Sequence, residues 1–124
     1  MRKRVLSAIA LAVALSNPAC AADVSALIRE KGLAGAEAAL VATTDPSDRL
    51  ALAGVTFLAT IEKTWQTRWR LGLTSPGPVM PGMETELPDN PAPEPLTPDA
   101  VNSLERALID GMERTAEVIE TLPL

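Results

Sequence analysis

Trp65 and Trp69 stand one helical turn apart among Lys63, Arg68 and Arg70. Aromatic rings beside cations can stack on bases, sugars or quaternary amines. Trp65, Arg68, Trp69 and Arg70 are therefore the candidate interaction cluster. The spacing of four also sets both rings on one helical stripe with Leu58 and Ile61, where they would act as core anchors. The pattern favours core anchors, and a carbohydrate or ligand groove is the alternative. Arg68 flanks the stripe, placed to pair with an acid of the last helix.

Carboxylates are the other reactive groups in quantity. Glu62 and Glu105 sit at the edges of two apolar stripes, and if they faced one another they could share a proton or act as acid and base. An acid in such a place more often meets Arg or solvent, so no catalytic residue is assigned. Glu84, Glu86, Asp89 and Glu94 offer oxygens of the kind that hold calcium. Their spacing fits no EF-hand loop, and no metal ligand is assigned. The chain has no His, which removes the commonest general base and metal ligand together with the Ser-His-Asp and Cys-His mechanisms. No P-loop, G-x-G-x-x-G, nucleophile elbow or H-E-x-x-H occurs, and no cofactor is implied.

The first 21 residues have the three-part layout of a secretory leader. Arg2, Lys3 and Arg4 precede an uncharged run from Val5 to Leu15, Asn17 and Pro18 break the helix, and Ala19-Cys20-Ala21 sets small residues at a cleavage site. Eleven apolar residues fall short of the roughly 20 that span a bilayer, so no transmembrane anchor is expected. Cleavage recognised through Ala19 and Ala21 would start the mature chain at Ala22 or Asp23. The alternative is lipidation of Cys20, which the Asn17-Pro18 pair disfavours because a lipobox places Leu or its like three positions before the cysteine. The protein is thus expected in the periplasm or outside the cell.

Removing Arg2, Lys3 and Arg4 leaves 8 of the 11 bases against 16 acids, a charge of −8. So acidic a chain is a poor ligand for nucleic acid or anionic lipid. Cleavage at Ala21 also removes the single cysteine, and with it any intrachain disulfide. The acids gather in residues 84–124, as a solvated face or a docking surface for a basic partner or a cation.

These groups need elements to position them. Asp23 can cap a short helix over 24–31, stopped by Gly32. A second runs over about 33–42 and makes a small hairpin with the first. The third and longest begins at Thr44 or Asp45, with Pro46 in its first turn, and reaches about Leu71. On it Leu50, Ala51, Val55, Phe57, Leu58, Ile61, Trp65 and Trp69 fall on one broad face, which is the expected buried side. Gly54 shares that face, as if another backbone came close. Thr56, Thr60, Lys63, Thr67 and Arg70 make the expected outer side. A bend near Gly54 would fit the length.

Eight prolines between 76 and 98 forbid regular structure. Residues 74–97 read as an extended strap over the helices, with Val79, Met80, Met83 and Leu87 as contacts. Its P-x-x-P spacings could dock on aromatic grooves, but such grooves belong chiefly to intracellular eukaryotic domains. A last helix starts at Pro98, capped by Thr97, with Leu96 and Val101 as a staple. Its stripe is Val101, Leu104, Leu108, Met112, Thr115, Ile119 and Leu122, Asp110 and Arg114 form a favourable pair, and Gly111 suggests close packing. The architecture is all-α: leader 1–21, helical segment 22–73, Pro-rich connection 74–97, and a C-terminal amphipathic helix 98–124.

The stretches RLALAGVTFLATIEKTWQTRWR (Arg49–Arg70) and PDNPAPEPLTP (Pro88–Pro98) resemble the N-terminal region of uncharacterised exported proteins of proteobacteria. The resemblance implies export, names no activity and carries over no functional residue. Because those relatives continue further, it also implies that this chain is the N-terminal part of a longer protein. The expected role is binding or assembly with a protein partner of the cell envelope, the oligomeric state being open. The alternatives are a fragment of, or accessory to, a carboxylate-based periplasmic hydrolase, and a lipid-anchored envelope protein.

Overall fold

The computed structural model describes residues 23–77 and 80–123. Ala19, Cys20 and Ala21, with the rest of the expected leader, and Val79, one of the expected strap contacts, lie outside the described residues; Met80, Met83 and Leu87 are partly covered. Three helices follow one another: α1 (Val24–Leu40), α2 (Pro46–Arg70) and α3 (Pro98–Glu120), with no strand among the described residues. The fold is all-α. Helix α2 is the centre, and both α1 and α3 pack on it.

Local signals explain each start. Pro46 opens α2, and the Asp45 carboxylate accepts from the backbone N–H of Ser47 and Asp48 at 2.9 and 3.2 Å. Pro98 opens α3, and the Thr97 hydroxyl accepts from the Ala100 N–H at 3.1 Å. These bonds satisfy helix donors that have no partner within the helix. Asp23 behaves differently: it makes no side-chain cap bond, and only its carbonyl joins the first turn. Gly32 breaks α1 into two helical pieces with φ +70° and ψ 177°, a backbone that only glycine adopts cheaply.

The core has two parts. Ala36 and Leu40 of α1 meet Leu52 and Val55 of α2, with Val24, Leu27, Ile28, Leu33 and Val118 packed around them. The second part is the antiparallel α2–α3 seam. Leu104, Leu108, Gly111 and Thr115 of α3 are buried. From α2 come Thr56, Thr60 and Thr64, also buried. A Cβ placed on Gly111 would overlap the Thr60 side chain, so the helices approach here to a distance that only a bare Cα permits. Ile119, expected on the buried stripe of α3, is half exposed. Met112 and Leu122 are partly covered. Leu96, the expected staple, stays exposed, and Asp110 makes no ion pair with Arg114 within 4 Å.

Residues 71–97 return to the end of α2 and close it. A helix leaves its last four carbonyls unpaired, and here each finds a donor. Leu71 N–H donates to Thr67 O at 3.0 Å, Leu73 N–H to Arg68 O at 2.9 Å and Gly72 N–H to Trp69 O at 3.1 Å. Farther along, Asn90 Nδ2 donates to Trp69 O at 2.8 Å and Glu94 N–H to Arg70 O at 2.7 Å. The strap is a cap for α2 as well as a connection.

Candidate functional site

The arc of α2 expected to be buried is largely its solvent face. Leu50 is 61% exposed, Leu58 48%, Trp65 38% and Trp69 39%. Phe57 is exposed too, and Ile61 is only partly covered. Thr56 and Thr60, expected on the outer side, are instead buried in the seam with α3, while Lys63 and Arg70 are exposed as expected and Val55 is buried as expected. The exposure of both tryptophans corrects their assignment as core anchors. Gly54, expected to receive another backbone, faces open space, with nothing within 4 Å of where a Cβ would lie. The helix runs through it without interruption.

The reversal has a chemical cause. Thr60 Oγ1 donates to Thr56 O at 2.8 Å, Thr64 Oγ1 to Thr60 O at 2.8 Å and Thr115 Oγ1 to Gly111 O at 2.9 Å. A hydroxyl bonded to its own helix's carbonyl four residues back leaves mainly its methyl group to the neighbour. Spaced four apart, Thr56, Thr60 and Thr64 form a low ridge of the kind that packs helix against helix. Among the described residues no buried side-chain nitrogen or oxygen lacks a partner.

Arg68 continues this ridge and is 1% exposed. It was expected to face an acid of the last helix. Instead Nη1 donates to Gly82 O at 2.8 Å and Nη2 to Ser75 O at 2.9 Å, so the guanidinium clamps the strap. Burial lowers its pKa from the usual arginine value, and the nearby charge of Glu84 partly opposes this. Arg68 therefore leaves the interaction cluster. Arg70 is exposed, 3.5 Å from Glu94.

Trp65, Trp69 and Arg70 remain together. With Lys63, Gln66, Thr67 and the strap residues Leu87 and Pro88 they line an open groove of about 700 Å³. A second cleft, of about 490 Å³, lies between the three helices, where Glu37, Glu62, Lys63, Asp110 and Arg114 meet small residues such as Ala34, Ala59 and Ala107. Glu105 does not line it, so the carboxylate pair Glu62–Glu105 is not assembled there. Among the described residues, Glu84, Glu86, Asp89 and Glu94 form no group able to hold a metal ion. No described helix is long and apolar enough to cross a membrane.

The chemistry this arrangement offers is adhesion. The outward arc from Leu50 to Trp69 carries Leu, Gly, Phe, Ile and Trp without a charge, along a helix of about 37 Å at 1.5 Å per residue. Its exposed apolar side chains amount to about 450 Å², given roughly 150–250 Å² for each large side chain. A patch of that size on a small protein is often functional. Comparison with family models, curated proteins and solved structures finds no match.

Proposed function

We propose that this protein is an exported helical docking module, which binds a protein of the cell envelope through the outward face of α2. The observation that carries the reading is that face, with Leu50, Leu58, Trp65 and Trp69 all more than a third exposed. The leader layout of Met1–Ala21 and the resemblance to exported proteins support the location. Burying about 450 Å² releases roughly 11 kcal/mol at 25 cal/mol per Å². Association costs about 4–15 kcal/mol. The stripe alone thus gives marginal binding, and a partner must also contact its rim.

A photo-crosslinking residue at Leu58 is expected to trap an adduct in intact cells, and one at exposed Glu113 of α3 is not. No adduct at Leu58, or stronger trapping at Glu113, refutes the docking face. The mature N-terminus, read by mass spectrometry, is expected at Ala22 or Asp23. A lipid mass on Cys20 would instead establish the anchored form, and an intact Met1 on cytosolic protein would refute export.

A further inference from the structure

We infer that the occupant of this face is a second copy of the chain, laid antiparallel along α2. The inference rests on the docking reading above and names its partner. Three observations converge on it.

Charge comes first. Helix α2 carries four bases, Arg49, Lys63, Arg68 and Arg70, against Asp48 and Glu62, whereas α3 carries six acids and two bases. Lys63 and Arg70 border the stripe only at its Trp65–Trp69 end, where they line the groove, and the Arg68 guanidinium is held by the strap. From Leu50 to Ile61 the stripe has no charge with which to select an acidic or a basic partner. Its complement is another uncharged apolar face, and this chain supplies one. The acidic α3 packs on the other side of α2, so two copies meeting through α2 keep their acidic helices apart, and the net charge of −8 opposes them least in this arrangement.

Spacing comes second. Leu50, Gly54, Phe57 and Ile61 follow one another at intervals of four, three and four, the seam pattern of paired helices, and Trp65 extends the face one turn further. Leu58 is the midpoint of α2. An antiparallel two-fold between Phe57 and Leu58 sets Ile61 over the partner's Gly54, where the missing Cβ leaves open space, and Trp65 over the partner's Leu50. Each contact then occurs twice. Antiparallel helices also bring opposite dipole ends together.

Area comes third. Two such faces contribute about 900 Å² of apolar surface, and the rim of Ser47, Ala51, Glu62 and Gln66 carries the total past the roughly 1,000 Å² expected of a specific interface.

Sedimentation equilibrium on the exported protein, purified from the envelope with its mature N-terminus determined, tests the inference. The wild type is expected at twice the chain mass. Leu58→Arg, which sets two like charges beside the symmetry axis, and Gly54→Trp, which fills the notch, are expected to halve it. Both positions are exposed, and an unchanged circular dichroism spectrum confirms that each variant folds. A wild type of single-chain mass, or a dimer that survives Leu58→Arg, overturns the inference. If the single-chain wild type still crosslinks from Leu58 to a different envelope protein, the second copy is refuted and the docking face stands. If it crosslinks to nothing, both fall.

Discussion

Helix α2 presents two long sides of contrary character. The side turned to α3 is built of Thr56, Thr60 and Thr64, and it is buried. The side turned outward is built of Leu50, Phe57, Leu58, Trp65 and Trp69, and solvent reaches all of them. On the inner side the threonine hydroxyls bond within their own helix, and Gly111 opposite removes every atom that would hold α3 away. Closeness there comes from the smallness of the residues. On the outer side the residues are large, and among the described residues only the strap, through Gly82 near Ile61 and Leu87 and Pro88 near the tryptophans, reaches them. Residue size and backbone approach decide which side is buried here, more than hydrophobicity does. The apolar payload is left free for another surface.

Four substitutions can break or sharpen this contrast, judged by denaturant unfolding followed by circular dichroism. The largest effect is expected from Arg68→Leu. It leaves Gly82 O and Ser75 O without donors and should cost about 3 kcal/mol, from two charge-assisted bonds. Gly111→Ala comes next: its methyl group would meet Thr60, and the overpacking should cost about 1–3 kcal/mol. If Gly111→Ala is neutral, the close approach of α2 and α3 is wrong. The same change on the outer side has the opposite sign. Measured on the single chain, diluted below dimer formation, Gly54→Ala should stabilise by about 1 kcal/mol, since glycine is a poor helix former and the space within the chain is open. A loss there would mean that the outer side is already covered. The smallest effect belongs to Arg70→Ala, about 0.5 kcal/mol or less, because its pairing with Glu94 is solvated. A larger loss would give the groove beside Trp69 a structural role.

The helix ends and the buried stripe of α3, with Leu104, Leu108 and Thr115, are legible in the sequence, whereas most of the α2 face is misread. Asp45-Pro46 and Thr97-Pro98 mark starts because their chemistry is local: a side-chain oxygen, free N–H groups and a fixed φ lie within four residues of one another. Gly32 is legible as a break for the same reason. The inner face was hidden because a threonine counts as polar in any pattern of apolar residues. Its burial depends on a hydroxyl bond within the helix and on Gly111, some 50 positions away. A usable signal was present: threonines at 56, 60 and 64, four apart, form a ridge, and a mid-helix glycine in the last helix offered a place for it. Arg68 was placed correctly at the edge of a face. Its partners were missed because they are backbone carbonyls of the strap, which residue type does not reveal. The Trp65–Trp69 pair was legible as a cluster, but its exposure depends on which side α3 takes.

The clamp made by Arg68 sets a limit on redesign of the connection. A flexible Gly-Ser tether of equal reach would still link the two helices, yet it would not hold its carbonyls in place for the guanidinium, and it would lack the Asn90 amide that caps Trp69 O. The turn from Thr67 to Arg70 would then unwind and carry Trp69 with it. Trimming the prolines would therefore be felt first at the tryptophans, well away from the site of the edit.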